Sequence, residues 1–198
     1  MPLEQTATVV SNVLAVAAED LGLRHVVIVA HSMGGLVVHA ALARLCRDGV
    51  PDWMELFISI ATPYGGMDSA RLGVERASEV VPSWRDVAPN SRFLADFQGT
   101  PLTDRLPFYL VFAYDNRSRV LRSAPSGDGT VPLRSQLAVQ RRAWRVLGVD
   151  ATHTGVLTNP ATREIMAAAL ATHAIPRGEG VNPFAFGDVM LFRSDERR

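Results

Sequence analysis

At 198 residues, 47% of them hydrophobic, the chain has the size of one domain and enough apolar side chains to fill its core. Its 20 basic side chains, all arginine, balance 20 acidic ones, so no net field gathers phosphate backbones or anionic lipid, and nucleic acid is not an expected partner. Cys46 is the single cysteine, which excludes an internal disulfide, and its place on an apolar helix reads as a small core residue. No metal-ligand cluster and no phosphate-binding loop stands out, so neither a metal nor any other cofactor is expected. No basic residue precedes Arg24, and Asn12, Glu19 and Asp20 interrupt the apolar positions. That pattern is neither a signal peptide nor an integral membrane span, and a cytoplasmic location is expected, unless a signal lies upstream of this chain.

In chain order, Val9, Val10, Val13, Leu14, Ala17 and Leu21 recur at helical spacing between Glu4 and Leu21, with Gly22 as a left-handed stop. A strand is predicted from Arg24 to Ala30. A helix from about Met33 to Arg47 follows, apolar nearly all round, as a buried element is. Glu55 to Ala61 reads as a second buried strand, stopped by Thr62-Pro63-Tyr64-Gly65-Gly66. Residues 67–106 carry mixed short signals, with a helical turn at Pro89 to Phe97, and read as a lid-like excursion off the sheet. Strands at Phe108 to Ala113 and Ala143 to Val149 and a helix opened by Asn159-Pro160 complete the pattern. Strands alternating with helices imply parallel crossovers, hence an α/β fold in which a mainly parallel sheet lies between two helical layers. Residues 1–175 form that domain in this reading, and residues 176–198, rich in Pro, Gly and charge without period, are expected to be a disordered tail.

The junction between the first strand and the second helix carries the chemistry. Val-Val-Ile-Val-Ala-His-Ser-Met-Gly-Gly, residues 26–35, runs a β-branched strand into a tight small-residue turn with Ser32 at its tip. A serine hydroxyl is a weak nucleophile, and such a turn lifts Oγ above the sheet edge within reach of a histidine. Ala30 and Gly34 are expected to be the small residues that let strand and helix close on each other.

A serine so placed needs a base, and the base an orienting carboxylate, in chain order Ser, acid, His at the carboxyl ends of strands. Ser126-Gly127-Asp128-Gly129-Thr130-Val131-Pro132 offers Asp128 in a glycine loop, and Asp150-Ala151-Thr152-His153-Thr154-Gly155 offers His153 just past the fourth strand. Asp115, nearer the end of its strand, competes with Asp128 but stands in what reads equally well as a solvated turn. His31 and His39 read as packing or surface residues, His173 as a helix-end residue favoured by the dipole, and His25 gives no signal.

Together, Ala-His-Ser-Met-Gly-Gly, Ala-Thr-Pro-Tyr-Gly-Gly, Gly-Asp-Gly-Thr-Val-Pro and the following His-Thr-Gly resemble the lipase-like branch of the α/β-hydrolases, including GPI inositol-deacylase-like and triacylglycerol lipase-like proteins. The resemblance spans about Arg24 to Leu170. It implies a catalytic triad of Ser32, Asp128 and His153, and an oxyanion hole to which the Met33 N–H contributes. The family usually has His where this chain has Tyr64. With Trp84, Phe93 and Phe97, Tyr64 is a candidate for the wall that binds a lipid-like ester, although Val80, Val81, Trp84, Phe93, Leu94 and Phe97 serve equally to seat the excursion on the sheet.

The same branch places a strand, a His-Gly-type loop supplying a second oxyanion N–H, and a helix before the elbow. Only one helix precedes it here, so the expectation is an N-terminally truncated fold whose Met1 is an internal methionine of a longer enzyme. The alternatives are completion by a partner or a second copy through the exposed sheet edge, and a degenerate relative. The expected activity is carboxylic ester hydrolysis through an acyl-enzyme on Ser32, weak or absent if the oxyanion site is incomplete. Thioester cleavage or acyl transfer would use the same residues, and a non-catalytic hydrolase-like binding module is the rival class.

Overall fold

Apolar β-branched and aromatic runs form the strands: β1 (Val26–His31), β2 (Met54–Ile60), β3 (Phe108–Tyr114) and β4 (Arg145–Asp150), parallel and in that spatial order. The computed structural model describes residues 1–68, 70, 82–99, 102, 105–115, 127–173 and 190–192. Among them the helices are α1 (Leu3–Asp20), α2 (Met33–Leu45), α3 (Pro82–Val87), α4 (Arg92–Gly99), α5 (Leu133–Gln136) and α6 (Pro160–His173). The expected α/β class and parallel sheet are what the chain forms.

Side chains alternate across the sheet, as strand geometry requires, and divide the core in two. Phe57, Phe108, Leu110, Phe112 and Val146 join Leu36 and Leu42 of α2 and Leu3 and Ala7 of α1 on one face. On the other, Leu56, Ile58, Ile60, Tyr109, Val111, Leu147 and Val149 meet Ile165 and Ala169 of α6. The sheet is thus the middle of three layers, and β2 and β3 are buried on both sides as central parallel strands are.

Two features differ from the sequence expectation. α1 is amphipathic and Gly22 ends it with a φ of 59°, but the buried stripe is Leu3, Ala7, Ser11 and Ala18. Val10 and Leu14 are half-buried, while Val9, Val13 and Leu21 are exposed. The helix packs along α2, where small side chains permit close approach and branched ones do not. Second, the last segment is not wholly without structure, since Met190–Phe192 form β5, antiparallel to β4 at one edge of the sheet. The rest of the 176–198 tail lies outside the described residues. Among the described residues β1 is the opposite edge, as expected of a fold without the earlier strands.

The described part of the 67–106 excursion is seated on the α1/α2 face by Val87, Phe93, Leu94, Leu102 and Leu106. Val80 and Val81 lie outside the described residues.

The glycine that permits close approach at the turn is Gly35, not Gly34. A Cβ on Gly34 would meet nothing within 4 Å, whereas one on Gly35 would lie 1.9 Å from Thr62 Oγ1, 2.8 Å from Cγ2 and 2.9 Å from Cβ. Because Thr62 Cβ itself is in the way and the residue is buried, rotating its side chain gives no relief. Gly35→Ala is therefore expected to lower the unfolding free energy by about 1–3 kcal/mol, read as a fall in the urea midpoint. Gly34→Ala should leave that midpoint nearly unchanged.

Candidate active site

Ser32 occupies the turn between β1 and α2 with φ 55° and ψ −136°, a backbone conformation that costs a non-glycine residue of order 1–3 kcal/mol. Its N–H donates to Ile60 O at 2.9 Å and its own carbonyl accepts from Gly35 N–H at 2.9 Å, so β2 and α2 together hold the turn. Ala61, at the end of β2, has a φ of 49° and turns the chain away from the sheet beside Ser32.

His153 stands in the loop between β4 and the 3-10 turn Gly155–Leu157. Its Nε2 lies 2.9 Å from Ser32 Oγ and its Nδ1 lies 2.7 Å from Asp128 Oδ2. Nδ1 bonded to a carboxylate carries the proton, which leaves Nε2 as the acceptor facing the serine hydroxyl. Backbone reinforces the pair, because His153 N–H donates to Asp128 O at 2.9 Å. Asp128 is buried; its Oδ1 accepts from the N–H groups of Thr130 at 2.9 Å and Val131 at 2.7 Å. A hydroxyl, an imidazole and a carboxylate separated by 121 and 25 residues in the chain are thus joined by two hydrogen bonds. Such an arrangement can move the hydroxyl proton onto the imidazole and stabilise the resulting cation.

The architecture recurs in solved structures. The mature form of the Bacillus licheniformis lipase BlEst2 superposes with a TM-score of 0.67 at 15% identity, over 86% of this chain and 75% of that one. The chain has the α/β-hydrolase fold. The lin2722 gene product of Listeria innocua matches with a TM-score of 0.56 at 19% identity, over 86% of this chain and 67% of that one. Phospholipase PlaB from Legionella pneumophila, solved in complex with thio-NAD, matches with a TM-score of 0.55 at 14% identity, over 69% of this chain and 32% of that one. Residues 4–89, from α1 to just beyond α3, match the family model described as "Putative serine esterase (DUF676)". No curated protein sequence matches the chain.

In this α/β-hydrolase fold the Met33 N–H opens α2, at the positive end of the helix dipole and next to Ser32. Asp115 ends β3 near the acid's loop, its N–H donating to Gly127 O at 2.9 Å, while the carboxylate that meets His153 is that of Asp128. Tyr64, expected against substrate, has no exposed surface. Its ring packs on His39 and Phe108, burial pushes its hydroxyl well above the ordinary tyrosine range, and Ser59 and Thr62 adjoin that hydroxyl. Phe93 is likewise a core residue. Trp84 on α3 is half-exposed, and Phe97 lies on α4 with its side chain outside the described residues.

Two neighbours of the site are more specific than the sequence suggested. His31, read there as a packing or surface residue, packs against the His153 ring with centroids 4.6 Å apart and the rings tilted by 42°, and its Nε2–H donates to His153 O at 2.9 Å. Burial holds His31 below the ordinary histidine range, against the opposing effect of its bond to the His153 carbonyl. Its donating nitrogen is committed to a carbonyl, so His31 braces the loop of His153. Ser135 on α5 donates through Oγ to Gly66 O at 2.6 Å and accepts from Gly65 N–H at 3.2 Å, tying the Thr-Pro-Tyr-Gly-Gly loop to the acid's segment.

Among the described residues, no group of three His, Cys, Asp or Glu is placed to hold a metal ion. No helix among them is long and apolar enough to cross a membrane.

Proposed function

We propose that this chain hydrolyses carboxylic esters of uncharged, lipid-like character through an acyl-enzyme on Ser32. The observation that carries the reading is the unbroken hydrogen-bond chain from Ser32 Oγ through His153 to Asp128. His153 Nε2 takes the hydroxyl proton as Oγ attacks the ester carbonyl carbon, and the Met33 N–H faces the oxyanion that develops. Collapse of the tetrahedral species breaks the bond to the alcohol, which leaves with the proton from His153. Water then attacks the acyl carbon, gives its proton to the same nitrogen, and the acid departs as Oγ recovers a proton. Asp128 keeps the imidazole in the productive tautomer throughout.

Support for an apolar substrate comes from exposed apolar side chains, two of them close in sequence to the reacting pair. Met33 follows Ser32 and is 39% exposed, Leu157 ends the turn after His153 and is 48% exposed, and Trp84 offers a further exposed ring on α3. We expect a fluorophosphonate probe to label the purified chain at the peptide containing Ser32, mapped by mass spectrometry. No labelling of this chain or of a form with upstream coding sequence restored would discard the hydrolase in favour of a binding module with the same fold, whereas labelling gained on that restoration would keep it.

A further inference from the structure

Gln136, the last residue of α5, is a fully buried amide in which every polar atom has a partner, and it bridges two structures that must stay in register for the triad to form. Its Oε1 accepts from Ala113 N–H at 2.8 Å, and its Nε2 approaches Ala113 O at 3.0 Å, Val131 O at 3.0 Å and Asp128 Oδ2 at 3.3 Å. The amide cannot be reversed, because the opposite orientation would aim an oxygen at three acceptors and an NH2 at a backbone N–H.

Its place in the sheet explains the geometry. Ala61 N–H donates to Val111 O, and at Ala61 β2 turns off the sheet. Two residues further along β3, the side-chain amide of Gln136 supplies to Ala113 the donor and acceptor that a continuing neighbour strand would have supplied. The same Nε2 then reaches the turn that carries the acid.

We propose that Gln136 is a positioning residue for Asp128, fixing which carboxylate oxygen faces His153; this rests on the triad reading above. The Thr130 and Val131 N–H groups hold Oδ1. The amide of Gln136 donates to Oδ2, the oxygen that also meets His153, and to Val131 O, so the turn cannot rotate without breaking bonds on both of its ends. A residue that merely stapled the turn to β3 would contribute to stability alone.

Gln136→Met keeps length and approximate volume and removes every bond. Gln136→Glu keeps the oxygen that accepts from Ala113 N–H and, as a neutral carboxyl, leaves one donor for three acceptors, which serves if the Met variant fails to fold. With p-nitrophenyl butyrate, folded Gln136→Met is expected to lose on the order of 100-fold in kcat with KM unchanged. For Gln136→Glu, burial beside Asp128 and two carbonyls keeps the carboxyl protonated, and its single O–H can serve only one of the three acceptors, so kcat should fall by less than in Gln136→Met, with KM unchanged. The low-field proton resonance of His153 Nδ1–H, a readout independent of turnover, should be present in the wild type and lost or displaced in either folded variant. Wild-type kcat in a folded variant, an unchanged resonance, or no such resonance in the wild type would each overturn the proposal. A wild type that shows the resonance but labels at Ser32 neither alone nor with upstream coding sequence restored would instead reject the hydrolase reading and leave the positioning role standing.

Discussion

Asp128→Asn is expected to lower kcat for ester hydrolysis by about 10⁴-fold while leaving the fold intact, and Asp115→Asn to leave kcat nearly unchanged. The amide introduced by Asp128→Asn would keep its oxygen where the Thr130 and Val131 N–H groups hold Oδ1, so its NH2 would take the place of Oδ2 and face His153 Nδ1. A donor there forces Nδ1 to accept and moves the ring proton to Nε2. That nitrogen then meets the Ser32 hydroxyl with a proton already on it and cannot act as base. The defect is one of tautomer rather than of shape, so KM should be preserved and Ser32 labelling by a fluorophosphonate should slow in parallel with kcat. The reverse order of effects for Asp128 and Asp115 would move the acid's role to the end of β3.

That Ser32, His153 and Asp128 come together was legible because each lies in a short local motif whose turn chemistry is written in adjacent residues: Ser32 before Met33-Gly34-Gly35, Asp128 between two glycines, His153 after a strand. Roles that depend on a distant partner were not. Gln136 bonds to residues 23, 5 and 8 positions away, and nothing in Leu-Arg-Ser-Gln announces that its amide will complete a strand's hydrogen bonds. The choice between Gly34 and Gly35 likewise turns on the side chain of Thr62, which only the closed fold brings near. On α1 the valines dominated the periodic signal, yet packing against another helix selected the small-residue stripe beside them. Tyr64 was a candidate for the substrate wall, whereas the closed fold buries its ring against His39 and Phe108 and ties the glycines after it to Ser135 of α5.

His39 gives the protein a second pH dependence, separate from its chemistry. On α2 its ring is fully buried, edge-on to Phe57, Tyr64 and Phe108 at 5.9, 5.6 and 5.5 Å. Burial, with a smaller effect from the Arg142 charge, pulls it from 6.5 down to about 3. The folded value is the depressed one, so as pH falls below 6.5 the unfolded chain takes up a proton that the native chain refuses until about 3. Within that window His39 alone removes about 1.4 kcal/mol of unfolding free energy per pH unit, a large share of the total stability of an ordinary domain. His39→Leu abolishes that uptake. Urea denaturation at pH 7, 5.5 and 4.5 should therefore show wild-type stability falling more steeply than that of His39→Leu, by about one proton's worth of slope. Because α2 begins at Ser32, the wild type should also lose fluorophosphonate labelling where acid unfolds it, at a higher pH than the variant. Parallel stability curves would show that the native state does protonate His39, and with it that water reaches the helix beneath the nucleophile.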